Sequence, residues 1–188
     1  MQRRDITLST PRLVLEPLMA SHASPLFSYL REVHLYTFIP GGPPTSLDAL
    51  EARYRRLESR RSPDGREGWL NWVARRQADS LPVGTFEATL RPNRTAMFAY
   101  TVFLPFQRQG YAWEGGESVV SHLIRDYDVE SVIAEIDTRN VASIALVERL
   151  GFTRIAVTYG ADSCKGHVSD EYRYEYRRET TARIALIY

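Results

Sequence analysis

Two residue types are almost missing from this 188-residue chain: it has one cysteine, Cys164, and one lysine, Lys165. A single cysteine closes no internal disulfide and anchors no thiolate zinc site, so a reducing compartment is expected. The histidines His22, His34, His122 and His167 are scattered, with no pair at helical ligand spacing, and no metal is expected. Cys164 and His167 stand close in sequence, but two intervening residues say nothing of geometry, and no catalytic pair is read from them. The opening MQRRDITLSTPRL lacks the apolar core of a secretory signal. No apolar run approaches the roughly 20 residues that cross a bilayer. The expectation is a soluble, cytoplasmic protein. Net charge is lacking too: at +1 no global field points to nucleic acid or to an anionic membrane. With one lysine, nearly all positive charge is arginine, which reflects genome composition rather than function.

What is present is an ordinary globular mixture, 44% apolar and 25% charged, long enough for one substantial core. No repeat or low-complexity segment interrupts it, and one domain over residues 1–188 is expected, with its core at about 9–178. LSTPRLVLEPL alternates as a strand. SHASPLFSYLREV reads as a helix, PGGPP as a turn, and SLDALEARYRRLESRR as a second helix capped by Thr45 or Ser46. WLNWVARR and PVGTFEATL read as paired strands, and MFAYTVFLP follows the turn RPNR as another. From Tyr111 a helix carries small Gly115 and Gly116 on one face, able to press on a sheet. SVIAEID is a strand. NVASIALVERLGF is a helix that Asn140 can cap and Gly151 can end, with Ala142, Leu146, Val147 and Leu150 inward. RIAVTY and DEYRYEYRR are final strands around a loop, GADSCKGHVSD, and the apolar tail 180–188 could add a strand, cover a groove or join a partner chain. The arginine-rich part of the second helix, interspersed with acids, reads as a solvated face. The order defines an α/β (α+β) domain on a mixed central sheet flanked by helices.

The strand-to-helix junction FQRQGYAW carries chemistry. A helix start leaves unpaired N–H groups and the positive end of the dipole, a seat for phosphate, and a glycine lets the anion approach the backbone. Gln107, Arg108, Gln109, Gly110, Tyr111 and Ala112 supply consecutive amides, and Arg108 adds a cation. The stretch is neither a Walker loop nor G-x-G-x-x-G. Taken alone it equally suits a corner that needs a small residue.

The junction does not stand alone. Q-x-x-G-x-A (Gln107 to Ala112) is followed, after another strand, by N-x-x-S-x-x-L-x-x-R-x-G-F (Asn140 to Phe152). Together they resemble the GCN5-related N-acetyltransferase superfamily. TPRLVLEPL and PVGTFEATL are similar to the branch related to ribosomal-protein N-terminal acetyltransferases. The resemblance covers roughly Ser9 to Arg178. It implies a single acyl-coenzyme A N-acyltransferase domain with a splayed strand pair, and acetyl-coenzyme A as the acyl donor. It implies pyrophosphate on the Gln107–Ala112 amides, the pantetheine arm along Val102, Phe103 and Leu104, Asn140 bonded to the arm, and Ser143 near the sulfur. Arg149 would contact the nucleotide end.

Acetyl transfer to an amine requires three things. An alkylammonium with a pKa near ~10 must lose a proton, the tetrahedral oxyanion needs an N–H donor, and the leaving thiolate needs stabilising. Ser143 or a tyrosine suits the last role. Some members of the superfamily carry a glutamate as base on the strand before the phosphate loop; here that place holds Tyr100. Proton removal would then pass through water to Glu87 on the preceding strand, or the amine would arrive neutral. Glu114 and Glu117 suit the helix dipole and read as structural. The expected reaction is direct transfer, in a ternary complex, to a primary amine: a protein N-terminus or a small molecule. Neither nucleic acid nor membrane is expected as partner, and a monomer and a homodimer are both open. A coenzyme-binding sensor of the same fold and an unrelated nucleotide-binding protein are the rivals.

Overall fold

The structure is a computed structural model describing residues 6–164 and 167–178. The apolar tail 180–188 lies outside the described residues. One mixed sheet runs through the molecule in the order β1-β2-β3-β4-β5-β6-β8-β7. Its strands are β1 (Leu8–Ser9), β2 (Leu13–Pro17), β3 (Gly68–Arg76), β4 (Pro82–Leu90), β5 (Thr95–Val102), β6 (Ser131–Asp137), β7 (Thr153–Cys164) and β8 (His167–Arg177). Four helices, α1 (Ala23–Leu30), α2 (Leu47–Leu57), α3 (Tyr111–Asp126) and α4 (Val141–Arg149), accompany it. All neighbouring strands are antiparallel except β5 and β6.

That exception positions the site. β5 and β6 pair only at Thr95↔Ser131, Ala96↔Val132 and Met97↔Ile133. From Phe98 onward β5 stays with β4, through Gly84↔Val102, while β6 stays with β8 through Asp137↔Glu171. Each strand follows its antiparallel partner, and a wedge opens between them.

α3 packs on one sheet face through the small residues that periodicity indicates. Phe86 and Phe98, on β4 and β5, are buried there. A β-carbon on Gly115 would sit 2.3 Å from Phe86 Cζ, whereas one on Gly116 would meet Leu150 Cδ1 at 3.0 Å. Phe86 is a fully buried ring and cannot yield, but the Leu150 methyl can turn. Gly115→Ala is therefore expected to cost about 1–3 kcal/mol through overpacking, beyond any helix-propensity gain. That lowers Tm by about 2–4 °C per kcal/mol. Gly116→Ala is expected to stay near wild type, and thermal unfolding of the two variants checks the contrast.

Several boundaries differ from the sequence expectation. The first strand is a hairpin, β1 and β2, with Thr10–Arg12 at its turn. β5 ends at Val102 because Leu104–Phe106 coil into a 3-10 turn containing Pro105. Ala142 on α4 is exposed rather than inward. Of the segment read as a loop, the described residues 160–164 and 167–170 belong to β7 and β8. Gly160, at φ +62°, sits in an irregular stretch between Thr158 and Asp162, and the ladder absorbs it as a bulge.

Candidate active site

The phosphate loop and the wedge adjoin. Gly110 precedes α3 with φ 84° and makes no side-chain cap, and Arg108 also lies at positive φ, 61°. Left-handed Gly110 followed by the right-handed first residue of α3 turns successive amides toward one concavity, a nest that suits an anion at the positive helix end. Gln107 through Gly110 are exposed, whereas Tyr111 is buried and Ala112 half-buried. Gln107 Nε2 donates to the Val102 carbonyl at 3.0 Å and Gln109 Nε2 to the Pro105 carbonyl at 2.9 Å. These bonds hold the loop against the end of β5.

A clamp unforeseen in the sequence fixes this loop from the far side of the sheet order. The Glu114 carboxylate accepts from the Thr10 hydroxyl at 2.6 Å, the Arg12 amide at 2.8 Å and Arg12 Nε at 2.6 Å. Arg12 Nη1 also donates to the Gln109 carbonyl at 3.0 Å, and its guanidinium lies 4.6 Å from the Tyr111 ring centroid. Arg12 thus sets a second cation beside Gly110, whose β-carbon position is 3.2 Å from Arg12 Nη2. One signal was available: Glu114 falls three residues after Tyr111, on the buried side of α3, where a charge needs a partner. Nothing local pointed to Thr10 and Arg12 as those partners.

Burial of Glu114 works against its ionisation, but the Thr10 and Arg12 donors outweigh it and hold the carboxyl below its ordinary range. A depressed folded-state pKa gives stability that is complete above the unfolded value, about 4.3, and lost as pH falls through the folded one. Glu114→Gln is expected to cost about 1–3 kcal/mol at pH 7, since it strips charge from three partly buried hydrogen bonds. The gap to wild type should close on acidification below about pH 4; denaturant titrations at several pH values check this.

In the wedge, Phe103 N–H donates to the Val83 carbonyl at 2.9 Å, toward β4. In an extended strand alternate residues face opposite edges, so Tyr100 and Val102 present their backbone to the edge that β6 has left. Phe103 does not: its amide is spent on β4, and its buried ring stacks on Tyr29 with centroids 4.9 Å apart. Leu104 already belongs to the 3-10 turn.

Across the wedge, Asn140 caps α4 by accepting from the Ser143 amide at 3.2 Å. The preceding turn is fixed by Asp137, whose carboxylate accepts from Arg139 Nη2 at 2.6 Å. The Ser143 hydroxyl and the Tyr100 hydroxyl lie 2.9 Å apart, so two sequence candidates on different elements meet at the cleft. Burial pushes the Tyr100 phenol up, and the Ser143 hydrogen bond partly offsets it. Arg149, at the far end of α4, stacks on Trp113 of α3, 4.7 Å from the ring centroid.

Glu87 faces the other way. Cross-strand partners share a face: Phe86 pairs with Tyr100 against α3, and Glu87 pairs with Ala99 and with Asn71 on the opposite face. That face meets α2, where Arg53 and Tyr54 stand. Burial raises the Glu87 carboxyl above its ordinary range, and the nearby Arg53 charge works in the opposite direction. A cavity of about 550 Å³ joins the two faces through the wedge, with Arg53, Asn71 and Glu87 on one side and Tyr100, Asn140 and Ser143 on the other. The arginine-rich helix is a solvated face at Arg55, which pairs with Glu51 at 2.5 Å; Arg53, also exposed, borders the cavity. No group of three or more metal-ligating side chains occurs among the described residues. No helix there is long and apolar enough to cross a membrane.

A sheet that parts beside a nest of amides, with a capped helix on the far lip, is the architecture of the acetyltransferases that use acetyl-coenzyme A. Residues 12–153 match the acetyltransferase (GNAT) domain family, and the chain belongs to that family. It is 27% identical over 192 residues to an FsC-acetyl coenzyme A-N(2)-transacetylase of Aspergillus fumigatus, covering 95% of this chain and 79% of the relative. A ribosomal L7/L12 alpha-N-protein acetyltransferase in complex with coenzyme A superposes with a TM-score of 0.82 at 19% identity, over 92% of this chain and 98% of that one. A spermidine N-acetyltransferase from Vibrio cholerae, in complex with coenzyme A and spermine, gives 0.76 at 17% identity, over 88% and 95%.

Proposed function

We propose that this acetyltransferase transfers the acetyl group of acetyl-coenzyme A to a primary amine by direct attack in a ternary complex, within one domain spanning the chain. The observation that carries the reading is a cavity bordered at once by a desolvated carboxylate, Glu87, and by the hydroxyl pair Tyr100–Ser143. The names of the relatives agree in kind: one specifies an N(2) nitrogen and another an amine, spermidine.

The chain's residues divide the work by sheet face. The amides of Gln107–Ala112 and the Arg108 and Arg12 guanidiniums bind the pyrophosphate, while Asn140 and the β5 edge at Tyr100 and the Val102 N–H hold the pantetheine arm, the Val102 carbonyl being engaged by Gln107. The donor supplies a thioester carbon open to attack. Glu87, its affinity for a proton raised by burial, accepts the ammonium proton through water. Backbone N–H at the free β5 edge faces the developing oxyanion. As the carbon–sulfur bond breaks, the proton still carried by the attacking nitrogen passes through the hydrogen-bonded Ser143 and Tyr100 hydroxyls to the departing thiolate, and both hydroxyls end as they began. Arg149, on Trp113, borders the nucleotide end.

The test is release of coenzyme A thiol from acetyl-coenzyme A, in the presence of alkylamines, amino-acid amides, polyamines and short peptides. Turnover with at least one amine class is expected. Tight coenzyme binding with no turnover across the panel would replace the transferase reading with a sensor of the same fold. Binding of ATP but not coenzyme A would overturn both.

A further inference from the structure

On the Glu87 face the cavity contains a polar group that the reaction does not use. Asn71 is 7% exposed and borders the cavity. Its Nδ2 is buried with no hydrogen-bond partner. A buried amide left unpaired costs about 1–3 kcal/mol. The backbone at this position is satisfied independently, since the Asn71 carbonyl accepts from the Leu18 amide at 2.8 Å; the side chain is therefore not needed for the ladder. Asn71 stands directly opposite Glu87 in the β3–β4 register, so their β-carbons are about 4.5–5.5 Å apart on one face. An N–H donor and a carboxylate so placed reach two atoms of one small molecule that are separated by only a few bonds. Arg53, whose charge acts on Glu87 and Tyr54, borders the same cavity and disfavours a second cation there.

We propose that Asn71 determines acceptor specificity: its unpaired side-chain N–H takes an oxygen borne next to the amine-bearing carbon, as in an α-amino carbonyl compound, while Arg53 excludes polyamines. This rests on the transferase reading and names the acceptor class for that site. The amine is directed to Glu87 and the oxygen to Asn71, so the acceptor is held at two points before transfer. A plain alkylamine leaves the Asn71 N–H unpaired, and a polyamine brings a second ammonium toward Arg53.

Binding is tested on the full chain saturated with coenzyme A, by calorimetry with alaninamide, isopropylamine and spermidine. An alanine-initiated tripeptide distinguishes a free amino-acid derivative from a peptide N-terminus. Wild type is expected to bind alaninamide or the tripeptide at least tenfold more tightly than isopropylamine, and spermidine most weakly. Asn71→Leu, of similar shape, is expected to lose the tenfold preference while its Tm holds or rises, because an unpaired buried amide has been removed. A merely structural Asn71 would instead lower Tm and leave the preference. Asn71→Asp is expected to shift selectivity toward spermidine. With acetyl-coenzyme A, the Asn71→Leu loss should appear mainly in KM for the oxygen-bearing amine and spare kcat. The proposal is overturned if coenzyme A binds but wild type shows no preference, binds none of the four amines, or if Asn71→Leu retains the preference. Failure to bind coenzyme A at all is a different result, and it strikes the transferase reading itself.

Discussion

Gly110→Glu is expected to weaken acetyl-coenzyme A binding by about a hundredfold or more, equivalent to ~3 kcal/mol, while the fold remains. Gly110 holds φ 84° at the start of α3, where a side chain costs about 1–2 kcal/mol. That cost alone does not unfold the protein, because the loop is exposed and the added β-carbon meets only the end of Arg12, 3.2 Å away. The larger effect is electrostatic. A carboxylate at the mouth of the nest stands where a phosphate should, and two like charges about 4 Å apart near a protein surface repel by ~4 kcal/mol. It would also compete for Arg12 and Arg108. Gly110→Ala carries the backbone cost without the charge and should lose far less. Calorimetry gives the two affinities and circular dichroism the fold. Undiminished binding by the glutamate variant would remove the phosphate loop from this segment.

Glu87→Gln is expected to lower kcat/KM by about 10²–10⁴-fold, the usual worth of a positioned base. The same substitution should leave stability level or raise it, since it removes a carboxylate that burial disfavours in its charged form. The sign of the pH dependence follows from that burial. A base works when deprotonated, so the wild-type rate should rise with pH through a value above the ordinary carboxylate pKa of about 4.3. In Glu87→Gln this acid limb should vanish, with residual rate governed by the neutral fraction of the amine. Rate profiles over pH for both proteins decide the matter. An unchanged limb in the variant would leave the amine to arrive neutral without help from this residue.

Legibility in the sequence followed the range of the interactions involved. Tyr111, Gly115, Val119 and Leu123 on α3 show their shared face within a few turns. The Asn140 cap of Ser143 is likewise contained in four residues. The β5–β6 wedge was expected only by resemblance, because strand divergence leaves no mark in either strand's own residues. The part of β7 around Gly160 was read as a loop because its glycine and polar residues are those of turns, and only pairing with β8 makes it strand. Arg12 and Glu114 are separated by 102 positions, so no local pattern connects them. Glu87 and Tyr100 were named together, yet adjacent positions in the β4–β5 register place them on opposite faces.

The sequence by itself determined the four main helices, the central strands β3 to β6 and their order along the chain, the amide-rich helix start and the capped one, because periodicity, capping and turn chemistry act over a few residues. Tertiary structure alone decided which edge of β5 is free, which arginines face the site, and that an unpaired Asn71 stands across from Glu87. Those outcomes depend on strand register, where a shift of one residue turns every side chain to the other face.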